Sequence, residues 1–373
     1  MHTKLFFWII SYAATIVFMS IAVYHLNVVH KSFMHEQNQI TSVQSLDSYL
    51  NDYWQKNSIS EDKIPLYIPT GIFIDTLKWV DAETFLISGY IWQKFNEKVL
   101  AISKPGFALP DGIEMEIKEA YNLSLGSEKL YGWHFNGKLN QRFDYSKFPL
   151  DEETIKIRLW HGDFNHRVLS VPDFVSYDDT EVNAVFGLSP EIKMSGYKVL
   201  DTFFKYQRLN YDTNLGIPTF SRKIFPEMTF NVELKRDIVN ILITHLFPII
   251  VVIFLCFLTL LSNTFSPQDG DQSRGDYINV LAASSAMFFV VILAHSYLRQ
   301  TMALSGFVYF EYIYIITYAS IVYVTIDSFL LATTNSVVTR LNGILAYHNN
   351  LIPKVLFLPL VSFSFMYLAL KFY

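Results

Sequence analysis

Two histidines and an acid stand close together near the middle of the chain, where metal binding or acid–base chemistry would need them. His161 and His166 are five residues apart, with Asp163 between them. This spacing can supply metal ligands, but on a strand that ends in a turn it favours two histidines on the solvated surface. The sequence contains no Gly-x-Ser-x-Gly, His-Glu-x-x-His or phosphate-binding glycine-rich motif. We therefore predict no catalytic residue, no bound metal and no cofactor, and we do not expect an enzyme.

Three titratable residues lie inside long apolar segments, where an unpaired charge is costly. Asp327 lies deep in its segment, whereas Glu311 and His245 lie nearer the ends of theirs. One interpretation is that these side chains are buried against polar partners; the other is a position at a membrane interface, reached by helix tilt. The sequence leaves both interpretations open for Glu311 and His245. For Asp327 it favours a buried partner.

The segment 277–298 differs from the other apolar segments because it carries small and polar residues. At 100° per residue, six of its side chains fall on one stripe of a helix: Ile278, Ala282, Ser285, Phe289, Ile292 and Ser296. We predict that this stripe lines a narrow pore, in which the bulky apolar residues form a constriction that closes by dewetting. The alternative is that alanine and serine only permit close helix packing.

Composition places a large part of this chain in lipid. Hydrophobic residues make up 51% and charged residues 17%, against about 25% charged residues in an average soluble protein. Several segments are long and apolar enough to span a bilayer: 5–26, 238–261, 277–298, 307–331 and 351–370. We interpret the first as an uncleaved signal anchor with a cytoplasmic N-terminus, a cleaved signal peptide being the alternative. We thus expect a multi-pass protein of the inner cell membrane that contacts lipids.

The charge balance bears on partners. The formal net charge is -5, and no basic patch stands out. Nucleic-acid binding depends on clustered lysine and arginine that neutralise phosphates. We therefore predict no nucleic-acid partner.

Between the first two spans, residues 64–236 predict one aqueous β-sandwich. Short alternations of apolar and polar residues recur there, which is the period of a strand with one buried face. The predicted strands include 67–77, 85–93, 112–118, 155–160, 168–171, 198–208 and 227–235. Turn residues separate them at 81–83, 104–106, 110–112, 135–138 and 172–173.

The predicted fold is mixed: a periplasmic β-sandwich followed by a four-helix transmembrane bundle, with an extra N-terminal transmembrane helix. The anchor takes residues 1–30, a helical lead-in takes 31–63, the sandwich takes 64–236 and the bundle takes 237–373. The last strand of the sandwich runs directly into a spanning helix. Such a seam couples an aqueous domain mechanically to a membrane domain, which is typical of a receptor or sensor.

Five motifs follow one another along the chain: Gly71-Ile-Phe-Ile, Ser88-Gly-Tyr-Ile-Trp92, Leu109-Pro110-Asp111, Phe148-Pro149-Leu150-Asp151, and the run from Pro226 to Arg236 followed by Pro248. Their order and spacing resemble those of the prokaryotic pentameric ligand-gated ion channels. The resemblance covers about residues 64–370 and includes the four spans after the sandwich. It implies a homopentamer whose central pore is lined by the segment 277–298.

The resemblance also implies roles for particular residues. It assigns coupling between sandwich and pore, around an outer loop at 299–306, to Phe148, Pro149, Asp151, Arg236 and Arg299. A packed loop on a rigid sandwich can push a short outer loop and switch a bistable bundle. The resemblance places ligand binding in an aromatic box, for which the candidates are Trp160, Phe204, Tyr206 and Tyr211. Such a box holds a cation by cation–π attraction; the alternative is that these aromatic residues belong to the sandwich core.

The chain also departs from the family. Leu298-Arg299 stands where the family often has Leu-Pro, and the span 5–26 is extra. No cysteines flank the loop at Phe148, as in prokaryotic members. The implied function is a subunit of a channel that conducts ions passively when the periplasmic domain binds an unidentified small molecule or ion. The departures leave an alternative open: a non-conducting periplasmic sensor on the same scaffold.

Overall fold

The computed structural model describes residues 2–32, 38–163, 167–194, 196–217, 225–263, 270–302, 307–332 and 350–373. Its residues divide into two compact units. The helical unit consists of Met1–Met34, Asp144–Asp151 and Ile238–Tyr373. The two-sheet unit consists of His35–Phe143 and Glu152–Asp237.

Two sheets build the two-sheet unit. One has the strand order β4-β5-β2-β1-β7 and the other the order β3-β6-β9-β8. The strands are β1 (Leu66–Trp79), β2 (Thr84–Asn96), β3 (Phe107–Ala108), β4 (Gly112–Leu125), β5 (Glu128–Asn140), β6 (Glu152–His161), β7 (Val168–Pro172), β8 (Tyr197–Gln207) and β9 (Glu227–Arg236). Neighbouring strands are antiparallel except for the parallel pair β1 and β7. Each strand predicted from alternation is confirmed, whereas β3 and β5 were missed.

The predicted turn at 135–138 is wrong, because these residues lie inside β5 and pair with β2. Glycine is required at position 137 by close packing and not by a turn. A Cβ at this position would lie 2.4 Å from the sulfur of Met115, so a side chain would collide with β4. The chain turns instead between β4 and β5 at Gly126, whose φ of 61° is the left-handed conformation that glycine adopts without strain.

Helix α2 (Val43–Lys56) belongs to the core of the two-sheet unit. Ser42 begins the helix with a capping box, in which its side chain accepts from the N–H of Ser45. The helix buries one apolar face in the core that both sheets share: Leu46, Leu50, Tyr53 and Trp54. Tyr49 stacks on Tyr206 of β8 with ring centroids 5.3 Å apart. The segment expected as a lead-in from the membrane therefore contributes directly to this core.

The helical unit contains, within the described residues, five helices long and apolar enough to cross a membrane: Thr3–Lys31, Ile238–Ser262, Tyr277–Gln300, Tyr309–Ala332 and Leu351–Phe372. Each of the five predicted spans is thus a helix of sufficient length and apolar character to cross a membrane. Besides the short α3 (Glu97–Leu100) of the two-sheet unit, the helices are α1 (His2–Lys31), α4 (Ile238–Ile241), α5 (Phe247–Ser262), α6 (Gly270–Met302), α7 (Tyr309–Ala332) and α8 (Leu351–Phe372). A π-helical turn, Leu242–Leu246, joins α4 to α5 just before Pro248.

Helix α1 is fixed to α8 by a hydrogen bond at a proline. Pro359 inside α8 has no N–H, so the carbonyl of Val355 four residues earlier lacks its helical donor. The Oγ of Ser11 in α1 donates to this carbonyl at 2.5 Å. Further along both helices, the rings of Phe18 and Phe363 pack edge to face at 5.4 Å. Helices α1 and α8 therefore run in the same direction, and α1 has a specific place in the helical unit.

The direction of α5 is opposite to that of α1. Trp8, near the start of α1, packs against Phe257, near the end of α5, with ring centroids 6.4 Å apart. It follows that the end of α1 and the start of α4 lie at the same end of the helical unit. We call this the connecting end, because the segment that follows α1 and the segment that precedes α4 both join it to the two-sheet unit.

We predict that Ser11→Ala lowers the free energy of unfolding of the helical unit by about 1 kcal/mol, since the Val355 carbonyl loses the Ser11 donor in apolar surroundings. In a Pro359→Ala background the new N–H satisfies that carbonyl within α8, so the same substitution should cost much less. Denaturant titration in detergent measures both values, and Ser20→Ala, on an exposed part of α1, is the control. An equal cost in both backgrounds would contradict this account of the hydrogen bond.

Candidate functional site

The predicted coupling loop, Asp144–Asp151, is part of the helical unit. Phe148 is fully buried. Its ring centroid lies 5.6 Å from that of Phe310 on α7 and 6.4 Å from that of His245 in the π-helical turn. The hydroxyl of Tyr373 donates to a backbone carbonyl of the loop. Three separate helical segments therefore hold this loop, and all three contacts lie at the connecting end.

The other predicted coupling residues lie in both units. Pro149 and Asp151 are buried in the same loop as Phe148. Arg236 ends β9 in the two-sheet unit, with its guanidinium carbon 4.5 Å from the ring centroid of Tyr197. Arg299 lies near the end of α6 in the helical unit. Of the predicted outer loop, residues 303–306 lie outside the described residues, as do 264–269 and 333–349 of the predicted cytoplasmic loops.

Glu311 joins α6 to α7 at the connecting end. Its carboxylate is fully buried and accepts from the backbone N–H of Val308 at 3.0 Å and from His295 Nε2 at 3.2 Å. Arg299 Nε lies 3.3 Å from the same carboxylate. The ring of His295 stacks on that of Tyr314 at 4.9 Å. The structure thus gives Glu311 buried partners, which is one of the two interpretations that its sequence position allowed.

Asp327 joins three helices at the opposite end of the helical unit. It is 4% exposed and accepts from Asn350 Nδ2 at 2.8 Å and from Asn263 Nδ2 at 3.4 Å. Asn263 follows α5, Asp327 lies near the end of α7 and Asn350 precedes α8. The predicted need of Asp327 for a partner is confirmed. The sequence did offer a signal for these partners, because an asparagine stands at the end of one span and another at the start of the last span.

The six predicted pore residues lie on one exposed face of α6. Phe289 is 65% exposed, Ile278 is 62% exposed, and the other four are exposed as well. The buried residues of α6 are on the opposite side of the helix, at 100° per residue: Val280, Ser284, Met287, Val291 and Leu298. A single chain leaves the predicted stripe uncovered, so it is available to line an axis between copies or to contact lipid. The pore stays a prediction.

The structure brings together two of the four predicted ligand residues. Trp160 and Tyr211 pack edge to face, with ring centroids 5.9 Å apart and planes at 82°. Phe204 is fully buried in the core between the sheets, and Tyr206 is 5% exposed. These two lie two positions apart on β8 and therefore face the same side. For them the structure shows the core position that the sequence left as the alternative.

A network of charges surrounds the Trp160–Tyr211 pair. The guanidinium carbon of Arg158 lies 5.7 Å from the ring centroid of Trp160. Arg158 Nε and Nη2 each donate to an oxygen of Asp111 at 2.7 Å. Glu227 accepts from the hydroxyl of Tyr211, and its second oxygen lies 3.7 Å from Arg158 Nη1. We call these five residues the Arg158 cluster.

Electrostatics keeps the guanidinium of the cluster charged. Burial acts to lower the pKa of Arg158, but its hydrogen bonds with Asp111 and the charges of Asp111 and Glu227 raise the pKa above its ordinary value. Sequence reasoning missed Arg158 and Glu227 as members of this site. The signal available was the two-residue spacing from Arg158 to Trp160, which places both on one face of β6.

The prediction of a surface position is wrong for His161, which is 3% exposed. It shares the inward face of β6 with Leu159, so the strand alternation places it in the interior. Its Nε2 lies 2.7 Å from the Oγ of Ser103, and that hydroxyl donates to Asp163 at 3.2 Å. Among the described residues no group of three His, Cys, Asp or Glu could hold a metal. His166 lies outside the described residues.

We predict that Phe148→Ala destabilises the helical unit by about 3 kcal/mol, because a fully buried ring is removed from between the π-helical turn and α7. Phe254→Ala on α5, where the ring is 57% exposed, should change stability far less. Unfolding followed in detergent compares the two variants. A similar loss for both would show that the loop is not packed as described.

We also predict an asymmetry between the partners at the end of α6. Glu311→Ala should cost about 3 kcal/mol, because His295 and the Val308 N–H are left buried without their acceptor. Arg299→Ala should cost no more than about 1 kcal/mol, since this side chain is 42% exposed and water can take the place of its guanidinium beside Glu311. Unfolding of the two single variants tests this order, and a larger cost for Arg299→Ala would refute it.

No family model matches this chain, and no curated protein matches it. Three features of its own residues bear on function: a loop that buries Phe148 among helices, a helix with one uncovered face, and the Arg158 cluster.

Proposed function

We propose that this chain is one subunit of a homopentameric, ligand-gated ion channel of the inner membrane. Ions pass through a central pore lined by α6, and the two-sheet unit, a periplasmic β-sandwich, controls the pore. The observation that carries the proposal is the loop Asp144–Asp151. It leaves the sheets after β5, buries Phe148 among helices, and returns to the sheets at β6.

Two connections between the sheets and the helices support mechanical control. The loop is anchored through Phe148 in the core of the helical unit. Strand β9 ends at Arg236 and α4 begins at Ile238, so one residue separates a central strand from a spanning helix. A displacement of β6 and β9, which are paired, would pull on the helices at two points. Packed helical bundles respond to such displacements by switching between discrete arrangements.

The position of the chain connections supports the proposed topology. The end of α1, the start of α4 and the anchored loop all lie at the connecting end of the helical unit. The chain connections to the two-sheet unit therefore leave the helical unit on one side of the membrane, with the N-terminus of α1 on the other side. With a cytoplasmic N-terminus, the two-sheet unit is periplasmic.

The uncovered face of α6 supports a pore formed between copies. Its six residues include serine and alanine as well as phenylalanine and isoleucine, and none is charged. Phe289 and Ile292 would form an apolar constriction towards the connecting end. Such a constriction blocks ions when it dries and conducts when it widens enough to hold water.

Imaging and reconstitution of the full-length protein test the proposal. We predict particles with five-fold symmetry, and currents across planar bilayers that increase in Phe289→Ala because a smaller side chain favours a wet constriction. In Ser285→Cys, a water-soluble thiol reagent should block the current. Leu356→Cys on α8, with 46% exposure, is the matched control and should not respond; the wild type, whose Cys256 is buried, controls for the native thiol.

The outcomes separate the candidate functions. Monomeric particles, or block of Leu356→Cys as strong as that of Ser285→Cys, would rule out a pore along α6. Pentamers that never carry current, even with Phe289→Ala, would favour the alternative of a non-conducting sensor on the same scaffold.

A further inference from the structure

We propose that the cation position beside Trp160 and Tyr211 is a guanidinium-binding site that this chain fills with its own Arg158. A free ligand of this site would then be a guanidinium or amidinium compound that takes the place of Arg158. The inference adopts the ligand site of the proposed function and names its chemistry, but binding at the site does not require a pore.

The first reason is the match of hydrogen bonds. A guanidinium group is planar and presents parallel N–H donors that fit the two oxygens of a carboxylate. Arg158 uses this fork on Asp111, with two distances of 2.7 Å. Its remaining nitrogen, Nη1, lies 3.5 Å from the hydroxyl of Tyr211 and 3.7 Å from Glu227. Acceptors thus surround the guanidinium on both of its edges.

The second reason is the aromatic surface. The guanidinium carbon lies 5.7 Å from the centroid of Trp160, within the distance at which a cation is attracted by a ring. The ring face expected from the sequence to receive a cationic ligand therefore already has a cation beside it. A quaternary ammonium ion in this position would leave Asp111 without its two donors, because it has no N–H groups.

The third reason is charge. Two carboxylates, those of Asp111 and Glu227, face one guanidinium, so the cluster without Arg158 carries two negative charges. An anionic ligand is disfavoured there, and a planar cation is favoured. The side chain of Glu227 is 1% exposed, whereas those of Arg158 and Asp111 are 19% and 31% exposed. The Asp111 side of the site is therefore open to a solute once the arginine side chain is removed.

The position of the site links several segments of the two-sheet unit. Asp111 lies in the turn between β3 and β4, Arg158 and Trp160 lie on β6, and Tyr211 lies in the segment that follows β8. An occupant of the guanidinium position thus joins three separate segments of the two-sheet unit. Exchange of Arg158 for a free ligand would change the contacts that fix Tyr211 and the segment around it.

Chemical rescue tests the proposal in the full-length protein. Arg158→Ala should lower the Tm by about 4 °C or more, because two carboxylates lose their partner. Methylguanidinium chloride at low millimolar concentration should raise the Tm of this variant in a saturable manner, as expected for a ligand of the folded state. Tetramethylammonium chloride at equal ionic strength should not.

Controls fix the site of rescue. The wild type should not respond to methylguanidinium, since Arg158 holds the position, and Arg142→Ala, which removes an exposed arginine of the same unit, should not respond either. If Arg158→Ala does not fold, Arg158→Gln retains much of the side-chain volume and takes its place. The fluorescence of the tryptophans, Trp160 among them, should change with the same concentration dependence.

Two results would overturn the proposal. One is a folded variant that no guanidinium compound stabilises. The other is equal rescue by tetramethylammonium, which would indicate a general aromatic site for cations. Because the measurement needs neither pentamers nor currents, a failure here leaves the channel proposal standing, and a failure of the channel proposal leaves this site standing.

Discussion

The structure of the helical unit depends on one constraint: in an apolar medium each buried polar group needs a partner within the protein. Three polar groups of the spans meet this constraint by pairing between helices, whereas others, such as Thr317 and Ser320, donate to carbonyls of their own helix. Ser11 pairs α1 with the carbonyl freed by Pro359 in α8, and Glu311 pairs α7 with α6 through His295. Asp327 draws the ends of α5 and α8 together through two asparagines. Because each group is costly to leave alone, each pair also selects one register between its helices.

These pairs divide the helical unit into two ends of different character. At the end with Asp327, two amides hold the carboxylate and the buried Lys354 adds a positive charge nearby. At the connecting end, Glu311 meets a histidine and an arginine, and the ring of Phe310, its neighbour, packs against Phe148 of the predicted coupling loop. Phe148 therefore contacts α7 at the residue next to the carboxylate that ties α7 to α6.

Much of this arrangement could be predicted from the sequence, because periodicity reports burial. The spans followed from long apolar segments, and the stripe of α6 followed from its period, since residues that face away from the rest of one chain recur every three or four positions. Predictions from periodicity failed where the residue type is required by packing against a different element of the fold. Gly137 looked like a turn because the need for glycine comes from Met115 on the next strand. Helix α2 looked like a lead-in because its buried face matches a core that only the folded sheets create.

The candidate ligand site shows the same limit of sequence reasoning in its chemistry. The family resemblance implied a cation held by aromatic residues, and the structure does place a cation beside Trp160, but the cation belongs to the chain. The residue types indicate that the rings attract a cation. Only the fold shows that Arg158, two positions before Trp160 on the same face of β6, already occupies the cation position. The two negative charges of Asp111 and Glu227 are thereby reduced to one by an arginine of the same chain. The site is stable without a ligand, and any ligand must compete with an arginine that is held in place by the backbone of β6.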